Sequence, residues 1–130
     1  MAGLLTSKNR TMSITLYGIK NCDTVRAARR WLEQHNIDHR FQDVRDEALS
    51  AEQVQQWLAE LGRDKLVNKR STTWKQLSDA QRQALDDNTA AALLLEHPTL
   101  MKRPLLDTGN ERVLGFKADQ YQSLFTHHTL

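Results

Sequence analysis

A single cysteine, Cys22, is the side chain of this sequence best suited to nucleophilic chemistry. It follows the turn-forming stretch Gly18-Ile19-Lys20-Asn21 and precedes Asp23-Thr24-Val25-Arg26, where apolar residues begin to recur at helical spacing. At a helix start, unpaired backbone N–H groups and the positive end of the helix dipole stabilise a negative sulfur, and the thiolate is the attacking form. Lys20 and Arg26 add positive potential, Asp23 opposes it, and Asn21, Asp23 and Thr24 shape the turn. With one cysteine in the chain, any disulfide that Cys22 forms is with another molecule. The competing reading is a small buried hydrophobe, which free cysteine often is.

Two short basic clusters, Lys69-Arg70 and Lys102-Arg103, lie beyond this turn. The planar fork of arginine suits oxyanions and the carboxylates of peptidic thiols. A fold that returns the second cluster beside the first strand–helix turn puts guanidinium groups near the sulfur. Taken alone, each cluster reads as solvated surface. Pro104 follows Arg103 at a strand entrance, where proline is tolerated. Five histidines (His35, His39, His97, His127, His128) show no metal-ligand spacing with Cys22. No Walker motif, glycine-rich dinucleotide loop or HExxH is present, so neither a metal nor a tightly bound cofactor is expected. Trp57 and Trp74 read as packing residues rather than a base-stacking platform.

The elements that must position these residues follow from periodicity. Ser13–Tyr17 reads as a strand, Asp23–Asn36 as a helix carrying Val25, Ala28, Trp31 and Leu32, and His39–Val44 as a second strand. That βαβ unit favours parallel pairing. Ser50-Ala51-Glu52-Gln53 fits a capping box ahead of Val54, Trp57, Leu58 and Leu61, with Gly62 placed to end the helix. Ser78-Asp79-Ala80-Gln81 repeats the pattern ahead of a helix to about Leu85, and Asn88 is placed to cap a third helix, Ala90–Glu96, which Pro98 stops. No strand-like run interrupts residues 49–99, which read as a helical insertion. Arg103–Asp107 and Arg112–Gly115 flank Gly109-Asn110 as an antiparallel hairpin, and Ala118–Phe125 forms a last helix.

The 130 residues are 39% hydrophobic and 26% charged, the balance of a soluble globular domain. A net charge of +2 gives no electrostatic footprint for nucleic acid, and no apolar run approaches the ~20 residues of a membrane span. Residues 1–12 read as a disordered extension without a signal-peptide pattern, residues 13–126 as a single domain, and residues 127–130 as a tail. The lone cysteine and missing signal favour a reducing, cytoplasmic home, and a monomer is expected.

Three stretches together resemble the arsenate reductase (ArsC)/Spx superfamily, most closely its YffB-type branch. They are Leu16-Tyr17-Gly18-Ile19-Lys20-Asn21-Cys22-Asp23-Thr24-Val25-Arg26, Leu66-Val67-Asn68-Lys69-Arg70-Ser71-Thr72-Thr73-Trp74, and Leu100-Met101-Lys102-Arg103-Pro104-Leu105, with Val113-Leu114-Gly115-Phe116 completing the pattern. The resemblance implies an α/β, thioredoxin-like (glutaredoxin-like) mixed β-sheet with flanking helices and a helical insertion. It also implies that Cys22 is the redox nucleophile and that Pro104 is cis. Arg70 and Arg103 fall on two of the three arginines that hold the oxyanion in glutathione/glutaredoxin-coupled arsenate reductases. The third falls near Gly115, which argues against arsenate itself. The Cys-x-x-Cys switch of many Spx proteins is missing, because Val25 stands at its second position. YffB-type proteins, sharing the single cysteine, look like glutathione-dependent thiol reductases. The expected activity is therefore that of a glutathione-dependent thiol-disulfide oxidoreductase. Its co-substrate is glutathione, glutaredoxin is a candidate partner, and the substrate is an oxidised thiol or small oxyanion. The alternatives are arsenate reduction proper and Spx-like regulation through RNA polymerase.

Overall fold

The computed structural model describes residues 13–129. The extension expected over residues 1–12 lies outside the described residues. In chain order the elements are β1 (Thr15–Gly18), α1 (Asp23–Gln34), β2 (Arg40–Asp43), α2 (Ala51–Leu61), α3 (Arg63–Leu66), α4 (Thr72–Gln76), α5 (Asp79–Gln83), α6 (Ala90–Glu96), a 3-10 turn (Pro98–Leu100), β3 (Leu105–Asp107), β4 (Arg112–Leu114) and α7 (Ala118–Thr129). They divide into two compact units. One contains the described residues up to Gln42 and from Arg103 on; the other is Asp43–Lys102 and contains the expected insertion.

The first unit is built on a mixed sheet of order β2-β1-β3-β4. β1 and β3 are antiparallel, with Leu16 opposite Leu106 and Tyr17 opposite Leu105. β3 and β4 form the expected hairpin, pairing Leu105 with Leu114 and Asp107 with Arg112. Its turn is closed by Thr108 N–H donating to the Glu111 carbonyl at 3.0 Å, and Gly109 takes the left-handed φ of 94° that this reversal needs. Side chains alternate across a sheet, so Leu16 and Leu106 share one face. There they form a cluster with Val25, Ala28 and Leu32 of α1 and Tyr121 and Phe125 of α7. Burying these apolar surfaces holds both helices to the sheet. The backbone of α7 continues to Thr129, beyond the helix end expected at Phe125, so residues 127–129 extend that helix.

In the second unit, α2 starts at Ser50, whose hydroxyl accepts from Gln53 N–H at 3.1 Å, and ends at Gly62 with φ 89°. Val54 and Trp57 are buried on α2, and Ala90, Leu93 and Leu94 on α6, the two helices packing together. Ser78 and Gln81 form the complete capping box expected for α5. The cap of α6 differs from expectation. Thr89, not Asn88, is its N-cap and makes no side-chain capping bond; the turn ahead of it is held by Asp86, whose Oδ1 takes the amides of Asn88 at 2.8 Å and Thr89 at 3.0 Å. The chain turns before the helix begins, so the earlier carboxylate reaches both amides, and Thr89 Oγ1 accepts in return from Asp86 N–H at 2.9 Å. Residues 49–99 also hold one strand-like contact: Val67 bridges Met101. A single bridge is too short to leave an alternating pattern in sequence. Among the described residues, no helix is long and apolar enough to cross a membrane.

Candidate active site

Gly18 decides where the first helix meets the sheet. A Cβ on Gly18 would lie 2.7 Å from Val25 Cγ2 and 3.0 Å from Val25 Cγ1, so only glycine lets α1 pack onto the end of β1. That close approach confines residues 19–22 to a tight connection, in which Cys22 N–H donates to the Ile19 carbonyl at 3.4 Å. Cys22 itself is the N-cap of α1, with extended backbone (φ −104°, ψ 126°), and its carbonyl accepts the first helical bond from Arg26 N–H at 2.9 Å. The expected place of the sulfur at the helix mouth is thus the observed one.

The expected convergence of backbone amides on that sulfur is not observed. Among the described residues, Cys22 accepts no side-chain capping bond from the amides of α1. It is half-buried and packs against the core cluster of the first unit. Sulfur is a weak acceptor with the packing character of a small hydrophobe, so it leans on the core where a serine oxygen would turn to the amides.

Lys20, Asn21, Asp23 and Thr24 are exposed around this turn. Arg26, one turn into the helix, is ion-paired with the Asp23 carboxylate through Nη2, and its Nη1 donates to the Lys20 carbonyl at 3.4 Å. Its guanidinium therefore engages both flanks of Cys22.

The sheet brings a second group of residues to the same end. Tyr17 lies opposite Leu105 and Leu105 opposite Leu114, so the next residues outward are Gly18, Pro104 and Gly115. Gly115 N–H donates to the Pro104 carbonyl at 2.8 Å, which continues the ladder one step beyond β3 and β4. The Arg103-Pro104 peptide is cis, as the resemblance implied. Arg103 is half-buried, with its Nε shielded from solvent. Gly115 has φ 81°, a conformation in which any side chain is strained.

Arg70 belongs to the second unit. It is exposed on a turn organised by Asn68, a residue whose part the sequence reading missed. Asn68 N–H donates to the Leu100 carbonyl at 2.9 Å, its Oδ1 accepts from Arg70 N–H at 3.0 Å, and its carbonyl accepts from Ser71 Oγ at 2.7 Å. Ser71 then caps α4 through Trp74 N–H at 3.1 Å, and Lys69 Nζ lies 5.6 Å from the Trp74 ring centroid. An Asx turn running into a serine cap was the available signal, in Asn68-Lys69-Arg70-Ser71. Within this unit, Lys102 N–H donates to the Leu66 carbonyl at 2.8 Å, which sets the strand leading to Lys102 beside the one leading to Lys69-Arg70.

The ArsC family model matches residues 17–124, which spans the Cys22 turn, both basic clusters and the cis-proline. The chain belongs to the ArsC family. It is 46% identical over 112 residues to an uncharacterized protein of Haemophilus influenzae, covering 86% of this chain and 98% of that one. It is 31% identical over 110 residues to the global transcriptional regulator Spx of Bacillus subtilis, covering 82% of each. Among solved structures it is similar to a YffB protein, with 38% identity and a TM-score of 0.81 over 85% of this chain and 97% of that one. This ArsC-family chain has the thioredoxin-like mixed sheet with flanking helices that the resemblance implied.

Proposed function

We propose that this ArsC-family protein is a glutathione-dependent thiol-disulfide oxidoreductase with Cys22 as its only nucleophile. The observation that carries the reading is the half-buried Cys22 at the N-cap of α1, its sulfur left out of the helix cap, in a chain with no second cysteine. The Cys22 thiolate attacks the glutathione sulfur of a mixed disulfide, forming the Cys22–glutathione disulfide and expelling the substrate thiolate, which takes up a proton. A second glutathione thiolate then attacks the glutathione sulfur of that adduct. Glutathione disulfide leaves, and Cys22 returns as thiolate. The net change is reduction of the substrate–glutathione mixed disulfide by one glutathione, giving the free substrate thiol and glutathione disulfide, and no resolving cysteine is needed.

Arg103, at the sheet end that carries the Cys22 turn, is proposed to hold a glutathione carboxylate, and Arg70 has the same role through the family resemblance. The test is exposure of the protein to glutathione disulfide, followed by intact-mass measurement. We expect one glutathione added at Cys22, removed again by reduced glutathione with glutaredoxin, and no addition to Cys22→Ser. Arg103→Ala should slow adduct formation about tenfold, the size of one lost charge-assisted hydrogen bond. Failure of the unaltered protein to gain the adduct overturns the reading.

The likeness to Spx favours one second reading, a regulator that acts through RNA polymerase. Co-purification with polymerase that survives Cys22→Ser would support it over the enzyme.

A further inference from the structure

Arg26 stands one helical turn after Cys22, where its charge invites an electrostatic role at the sulfur. Its contacts point elsewhere. Nη2 is ion-paired with the carboxylate of Asp23, the residue after Cys22, and Nη1 donates to the carbonyl of Lys20, two residues before it. Its backbone N–H meanwhile takes the Cys22 carbonyl at 2.9 Å. One residue thus holds the chain ahead of the cysteine, at the cysteine and after it. The positive charge faces a carboxylate on the helix surface, with the Arg26 side chain half exposed and that of Asp23 95% exposed.

We propose that Arg26 is a positioning residue, a clip that fixes the turn carrying Cys22 by spanning Lys20 and Asp23, and that it does not act as a charge on the sulfur. The inference rests on the proposed role of Cys22 as nucleophile. One feature of the geometry favours a clip. The guanidinium is a rigid planar fork preorganised to serve two acceptors at once, whereas an ammonium is a point charge on a flexible stem.

The two roles predict opposite signs at Asp23, which makes them separable. If Arg26 and Asp23 act as charges on the sulfur, removing Asp23 takes away a repelling anion and speeds Cys22. If they act as a clip, removing Asp23 loosens the turn and slows it. The experiment measures the rate of Cys22 alkylation by iodoacetamide, a neutral reagent that needs no glutathione, at fixed pH in the full chain. We expect Asp23→Ala and Arg26→Ala each to react about threefold to fivefold more slowly, the scale of an exposed ion pair. The double variant should be no slower than either alone, because both changes open the same clip. Asp23→Asn, whose amide oxygen still accepts from the guanidinium, should restore most of the rate, and Arg26→Lys should not. Circular dichroism of each variant checks that α1 is intact. Faster alkylation of Asp23→Ala, or full rate in Arg26→Lys, overturns the clip. Failure of glutathione exchange with these alkylation results intact would count against the proposed reaction alone.

Discussion

Four helix starts in this molecule are built on the same small-residue logic and end in two different states. In the second unit, Ser50, Ser71 and Ser78 each turn a hydroxyl onto the amide three residues ahead, at 3.1 Å in all three cases. In the first unit, Cys22 occupies the same N-cap position with the same extended backbone and makes no such bond. The two side chains differ by one atom, oxygen for sulfur. The oxygen closes the helix mouth; the sulfur leaves the amides of α1 without a side-chain acceptor. The three serine starts are finished scaffold, and the start of α1 is the one that the proposed function uses for chemistry.

The largest effect on this contrast should come from Gly18, because it sets the contact on which the Cys22 turn depends. Gly18→Ala drives a methyl into Val25, which is wholly buried on the first turn of α1. Overpacking of this kind costs about 1–3 kcal/mol. We expect a lower urea midpoint together with altered Cys22 alkylation, since the same displacement moves the N-cap. An unchanged midpoint would show that α1 does not need the close approach.

Exchanging the caps should have smaller effects of opposite sign. Ser71→Ala removes the acceptor for Trp74 N–H and should destabilise the protein by about 1 kcal/mol. Cys22→Ser supplies an oxygen where α1 has no side-chain acceptor, and should stabilise by up to about 1 kcal/mol even as it abolishes the glutathione adduct. Thermal unfolding of both variants beside the parent protein reads the pair. A Cys22→Ser protein that melts at or below the parent would mean that the helix mouth is closed by something other than the capping side chain.

How far the sequence told these helix starts apart depended on what each left in its pattern. Ser50 and Ser78 were legible because each opens a segment with a glutamine three residues on. Ser71 was not, since tryptophan rather than glutamine or glutamate stands three residues on, at Trp74, and the helix has no apolar repeat to announce it. The Cys22 position followed from strand, glycine and helix spacing, and the hairpin from Gly109-Asn110. The direction of the sulfur did not follow, because it depends on packing against a core cluster that draws residues from as far along the chain as Leu106 and Tyr121. Nor did the link between Arg26, Lys20 and Asp23. Spacing shows that Arg26 and Asp23 share a helix face, but which acceptors a long side chain chooses is decided in three dimensions.

The turn leading into α6 adds a third case, a carboxylate that holds a helix approach and titrates. The amide of Asn88 donating to Asp86, with further help from the amide and hydroxyl of Thr89 and the charge of Arg63, holds this carboxyl below its ordinary range against the pull of desolvation. A carboxyl depressed in the folded state contributes stability above its unfolded value, near 3.9, and loses it as pH falls through the lower folded value. The serine caps have no such dependence, as a hydroxyl carries no proton that leaves in this range. Asp86→Asn keeps the shape and an acceptor oxygen and removes the charge. Urea midpoints from pH 7 to pH 2 should therefore show the parent protein more stable at neutral pH and the gap closing below the ordinary carboxylate range. Ser71→Ala should lie below the parent by the same margin throughout. A gap at Asp86 that stays constant with pH would place this helix start with the serines, as a fixed hydrogen bond rather than a titrating one.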